Sequence, residues 1–202
     1  MNSPFSFLAA AAVAALTFAA CESPRARIMA DTDQDFVGDR TAGAGTFDRL
    51  ISEGVEKLLT DHSAAQGGLG KLSIVSLPVE NESAEELGDW QEQIYSLLTT
   101  SVNRSERYNM ISRRFVEAAL RETRLRPDQL FLPQYQRQLL EVLEQQGLPV
   151  DAMLFPKLTS GTTDAGRGIT QRNYGFELAL VDVKSGQERM YTTRLRKEYR
   201  GQ

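Results

Sequence analysis

The chain has 202 residues, 41% hydrophobic and 25% charged, with 23 basic side chains against 27 acidic ones and a net charge of -4. That balance is ordinary for a globular protein and excludes collagen-like, fully disordered and disulfide-scaffold chains. A single cysteine and a single histidine leave no internal disulfide and no multi-histidine metal site. The mild acidity gives no general pull toward nucleic acid, and the length suits one folded domain of about 140–160 residues plus a tail.

Residues 1–20 carry no charged side chain, and from Phe5 to Ala20 only Ser6 and Thr17 interrupt an apolar run. A run of about 16 residues falls short of the roughly 20 that a spanning helix needs. It matches the apolar region of a secretory signal peptide, with small Ala19 and Ala20 before the cut. Cys21, the one thiol in the chain, follows directly. Phe18-Ala19-Ala20-Cys21 resembles a bacterial lipobox, in which the cysteine sulfur takes a diacylglycerol and becomes the mature N-terminus. The resemblance implies a signal peptide over 1–20 and a lipoprotein with palmitate-type acyl chains on Cys21. Two or three chains anchor stably where one is marginal. A plain signal peptide with a bystander cysteine, or a buried free thiol, is the alternative. Lipoproteins kept at the inner membrane of enteric bacteria usually carry Asp after the cysteine; Glu22 stands here, which points to the outer membrane. Residues 21–45 mix Asp, Arg, Gly and Ala with no apolar period and read as a flexible tether. Such a segment reaches roughly 80 Å fully stretched and about 28 Å as a random coil.

The globular part is expected over 46–202. Phe47, Leu50, Ile51, Val55, Leu58 and Leu59 recur at helical spacing and predict a helix over 47–63 with Thr46 as its cap. Gly67, Gly68 and Gly70 stop it. Residues 71–79 are β-rich and apolar on both faces, which suits a central strand with Pro78 near its end. Leu87, Trp90, Ile94, Leu97, Leu98 and Val102 predict an amphipathic helix over 85–103, with Ser83 and Glu86 as a capping box. A short strand at 108–111, a helix over 112–123, a break at Pro127, a helix carrying Tyr135, Leu139, Leu140 and Leu143 up to Gly147, and a strand over 150–157 follow. Tyr174, Phe176, Leu178 and Leu180 alternate as a strand with one buried face does. Residues 184–187 form the turn to a returning strand over 189–199. In that strand Tyr191, Thr193, Leu195, Lys197 and Tyr199 share one face, and Arg194 and Arg196 point the other way. The expected fold is α/β (α+β): one mixed β-sheet flanked by about four helices, in the order αβαβααβββ.

The carrying segments are GAGTFDRLISEGVEKLL (43–59), KLSIVSLPVENES (71–83), LTTSVNRSERYNMISR (98–113) and RNYGFELALVDVKSGQERM (172–190). The strand leading into Glu80-Asn81-Glu82-Ser83 and the run from Tyr174 to Gly186 are the best markers. Taken in order behind the cysteine, they resemble the LpoB-type activators of penicillin-binding proteins, relatives of the CsgG and TolB N-terminal architecture. The resemblance covers about residues 42–200. It implies a TolB N-terminal-domain-like fold and no enzymatic activity or cofactor. It also implies an outer-membrane lipoprotein on the periplasmic face that stimulates a class A penicillin-binding protein, a peptidoglycan synthase. An envelope secretion or assembly accessory of the CsgG/TolB type is the alternative, and a peptidoglycan-modifying enzyme a third reading.

Catalytic chemistry finds little foothold. His62 sits in Asp61-His62-Ser63 with no G-x-S-x-G elbow in the chain, and reads as a solvated surface histidine. Glu80, Glu82, Glu85, Glu86 and Asp89 could pair for hydrolysis or hold Ca²⁺, but acids also belong in the first turn of a helix. The glycine-rich stretch 160–168 lacks a Walker lysine and reads as a mobile hairpin loop. Charge is unevenly spread. From Asp31 to Glu92 there are 14 acids against four bases, from Arg104 to Arg126 seven arginines against three acids, and from Glu188 to Arg200 five bases against two acids. If the helix over 112–123 lay near the last strand, an arginine-rich face would result. Arg113, Arg114, Arg121, Arg194 and Arg196 are therefore the candidate partner contacts, since arginine is enriched at protein hot spots. An ordinary solvated face is the bland alternative.

Overall fold

The computed structural model describes residues 44–65, 70–166 and 169–200. Residues 1–43, on which the expected signal peptide, Cys21 and the expected tether up to residue 43 fall, lie outside the described residues. Helix α1 (Ala44–Ala65) puts Phe47, Leu50, Ile51, Val55, Leu58 and Leu59 on one buried stripe. It starts before Thr46, which is therefore buried within the first turn instead of capping it. Strand β1 (Leu72–Ser76) sends Ile74 to one core and Val75 to the other, as a strand covered on both faces must. Strand β2 (Glu80–Glu82), helix α2 (Trp90–Arg104), strand β3 (Tyr108–Met110) and helix α3 (Arg113–Thr123) follow. A 3-10 helix at Pro127–Phe131 leads into α4 (Pro133–Gln145), and β4 (Ala152–Gly166), β5 (Ile169–Asp182) and β6 (Glu188–Arg200) complete the chain.

The sheet runs β3-β1-β4-β5-β6, with β2 also paired to β4. Pairings among β1, β2, β3 and β4 are parallel, and β4-β5-β6 is an antiparallel meander. This is the mixed α/β sheet with flanking helices that the sequence predicts, in the predicted order, with β2 and the 3-10 helix added. Helices α1 and α2 cover one face over Leu154, Leu158, Phe176, Leu178 and Leu180. Helices α3 and α4 cover the other face over Val75, Leu77 and Met153.

Three local expectations give way. The helix predicted from residue 85 begins at Trp90. Asn81 holds the preceding loop: its side chain accepts from the Ser83 amide and hydroxyl and donates to the Glu85 carbonyl at 2.8 Å. With Ser83 turned to Asn81, no capping box forms, because local side-chain hydrogen bonds compete with helix initiation. The acidic run is likewise not a helix first turn. Glu80 and Glu82 lie in β2, where Lys157 meets them at 3.7 and 2.8 Å. The glycine-rich stretch from 160 is strand as far as Gly166, paired to β5 with a register shift between Asp164 and Gly166. Residues 167–168 lie outside the described residues.

Candidate functional site

His62 is not on the surface. It is 3% exposed, with Nδ1 2.7 Å from the Tyr108 hydroxyl and Nε2 without a hydrogen-bond partner. The last turns of α1 press it against β3, a packing that its polar neighbours Asp61 and Ser63 concealed. Burial pushes its pKa below the ordinary value, with Arg189 and Arg107 adding to the effect against Asp182. Among the described residues no group of His, Cys, Asp or Glu is placed to hold a metal ion. Nor, among them, is any helix long and apolar enough to cross a membrane.

The five candidate arginines do not form one surface. Helix α3 packs on α4 and β1, while β6 is the far edge strand. Two strands stand between β1 and β6, so about 14 Å of sheet separates the two arginine groups at ordinary strand spacing. Arg113 is tied down. Its guanidinium lies 2.5 Å from carboxylate oxygens of Glu92 and Glu117 and 4.6 Å from the centre of the Tyr95 ring. Partial burial works against its charge, but the two carboxylates outweigh that and hold its pKa above the ordinary value. Burial pushes the Tyr95 phenol to about 12, and its hydroxyl donates to the Ser76 carbonyl at 2.7 Å. Arg113 thus closes a structural joint between α2 and α3. Arg114 and Arg121 are exposed on α3.

Arg194 and Arg196 stand elsewhere, exposed on a part of the sheet that no helix covers. The predicted alternation along β6 holds: Thr193 is buried, and its hydroxyl donates to the Leu50 carbonyl of α1 at 2.8 Å. The arginines therefore face away from α1. Register across the meander sets out this open face row by row. Phe155 pairs with Ala179 and Met190; Lys157 with Glu177 and Thr192; Thr159 with Gly175 and Arg194; Gly161 with Asn173 and Arg196. At the first row Phe131 of the 3-10 helix stacks on Phe155, centroids 5.8 Å apart. Phe131 and Met190 are each 58% exposed. The 3-10 helix and the strand floor enclose a groove of about 710 Å³, and a second of about 730 Å³ runs along Gly175, Arg194 and Arg196; Glu177 borders both.

Glu177 stands on the floor between the two grooves, and Gly175, in the next row, adds no side chain. A Cβ at Gly175 would come within 2.6 Å of Thr159 Oγ1. Arg196 Nε donates to Asn173 Oδ1 at 2.8 Å, which holds that guanidinium down on the floor. On the opposite face the loop before α2 is clamped to the meander: Glu85 accepts from Arg172 at 2.5 Å and from the Tyr174 hydroxyl at 3.0 Å. The sequence reading found the two arginines but missed Phe131 and Met190. The available signal was the Leu130-Phe131-Leu132 triplet after Pro127 and a Met at position 190 within a polar stretch.

Solved structures similar to this chain include LpoB C-terminal domains. The domain from Escherichia coli superposes with a TM-score of 0.49 at 13% identity, covering 73% of this chain and 95% of the other. The domain from Salmonella enterica gives 0.44 at 12% identity, covering 75% and 98%. The lipoprotein GNA1162 from Neisseria meningitidis gives 0.42 at 21% identity, covering 63% and 83%. These are likenesses of fold at low identity. No sequence family and no curated protein sequence matches the chain.

Proposed function

We propose that this chain is an outer-membrane-anchored periplasmic lipoprotein that binds and stimulates a class A penicillin-binding protein, acting by contact and without chemistry of its own. The observation that carries the reading is the uncovered face of the β4–β6 meander, where Arg194 and Arg196 stand exposed in line with a groove that has Phe131, Phe155 and Ala179 on its walls and Glu177 and Glu188 at its edge. A solvent-facing sheet that combines arginines with a partly apolar recess has the anatomy of a protein contact. The apolar leader running into the lone Cys21 supplies the anchor, and the ordered segments from 43 to 190 supply the resemblance to activators of this kind. In this reading Arg194 and Arg196 are the contacts to test, and Arg114 and Arg121, on α3 and apart from this face, are not part of it. Arg113, engaged by Glu92 and Glu117, is a structural residue in this reading.

The deciding experiment captures partners on the detergent-solubilised full-length chain and follows glycan polymerisation by the captured synthase. Capture of a class A synthase and a several-fold faster polymerisation are expected. Capture of a secretion or Tol-like complex instead would transfer the reading to an envelope-assembly accessory. For the anchor, Cys21→Ser should move the protein from the outer-membrane fraction to the soluble periplasm, and mass spectrometry of the wild type should find the diacylglycerol on Cys21.

A further inference from the structure

The open face is graded along the strands. Its first row is apolar: Phe131 lies over Phe155, and the register continues through Ala179 to Met190 at the sheet edge. Four and six residues further along β6 come Arg194 and Arg196, about 13 and 20 Å from Met190 at the rise of an extended strand. The row between carries Lys157, Glu177 and Thr192, and in the next row Gly175 leaves the floor beside Arg194 without a side chain. Phe131 on the 3-10 helix and Met190 on β6 are exposed, whereas the large apolar residues of β1 and β5 lie in the two cores. Arg194 has no ion-pair partner among the described residues, and Arg196 is held by an amide, not a carboxylate. The grade therefore asks for a ligand that is apolar at one end and negatively charged at the other.

We propose that this face docks a folded protein partner at two points. An aromatic or aliphatic projection of the partner enters the Phe131–Phe155–Met190 row, and carboxylates some 13–20 Å away pair with Arg194 and Arg196. The apolar row is the anchor and sets the residence time; the arginine pair sets orientation and association rate. A second copy of this chain fits less well, because its own open face brings a second pair of arginines to the contact. The inference deepens the proposed function by stating what the synthase must present to this face, and it rests on that reading.

The test uses the full-length chain and the host's purified class A penicillin-binding proteins. Met190→Ser and Phe131→Ser are expected to weaken binding about tenfold or more, chiefly through faster dissociation, with the salt dependence of wild type retained. Arg194→Glu with Arg196→Glu should slow association and flatten the salt dependence, and Arg114→Glu on α3 should change neither rate by more than about twofold. Both apolar positions are exposed, so these variants keep the wild-type melting curve, which is checked alongside. If the synthase binds and all of these variants bind as wild type does, the docking face is refuted while the proposed function stands. If no class A synthase binds, the proposed function fails, and the face is judged by photo-crosslinkers at positions 131 and 190 in intact envelopes. Crosslinks to an acidic partner protein, absent with the probe at 114, then support it. Crosslinks to a second copy alone, or none at all, overturn it.

Discussion

His62 and Tyr108 form a buried pair that makes stability depend on pH. The Tyr108 hydroxyl lies between His62 Nδ1 at 2.7 Å and the Leu59 carbonyl at 3.4 Å, so the pair joins α1 to β3 inside the first core. Protonation would place a charge there and a second N–H on Nε2, which has no partner. The folded state therefore holds the imidazole neutral, with its pKa below the ordinary value through burial first and the arginines second. The unfolded chain takes up the proton near pH 6.5, so the unfolded state binds more protons and stability falls as the pH drops below that value. Urea unfolding at pH 7.5, 6.5 and 5.5 should show this loss, and His62→Gln should reduce the slope. Tyr108→Phe should cost about 1–3 kcal/mol at pH 7.5 by removing a buried hydrogen bond.

Each helix owes its position to one buried stripe. Leu98 on α2 and Leu139 on α4 are fully buried, each in its own core. Leu98→Ala and Leu139→Ala should each cost about 2–5 kcal/mol through lost burial and the cavity left behind. Met190→Ser, on the exposed edge strand, should stay within about 0.5 kcal/mol, since surface substitutions do little. Urea midpoints of the three variants check this ordering. A comparable cost at Met190 would mean that its row is packed in solution and unfit as a docking anchor. Elements with long, regular apolar patterns, such as α1 and the alternating β5, were readable from their residues alone. The loop 80–89 was not, because Asn81, Ser160, Arg172 and Tyr174, far apart in sequence, decide its path.

The two cores share one sheet, with Ile74 and Val75 on opposite faces of β1. Loss of either core exposes the back of the other, so unfolding should be a single cooperative event. Fluorescence of Trp90, which packs against the first core, and far-UV circular dichroism should give coincident urea curves. Separated curves would show that the sheet does not couple the cores. Coverage of the sheet is also unequal. Helix α1 reaches β5 and β6 on one face, whereas α3 and α4 reach only β1 and the start of β4 on the other, leaving the meander bare where Arg194 and Arg196 stand.

Composition and periodicity by themselves determined the class of fold, the order of its main elements, the alternation of β6 and a lone cysteine behind an apolar leader. These are local properties, written in residue spacing. Tertiary structure alone decided that His62 is buried, that the five arginines divide between two separated places, and that Phe131, Phe155, Ala179 and Met190 fall in one row. The physical reason is that burial and adjacency depend on which strand lies beside which and in what register. Pairings such as Ala179 with Met190, Phe155 with Ala179 and Ile74 with Ala152, which are 11, 24 and 78 positions apart, set that arrangement, and no spacing within a single segment encodes it.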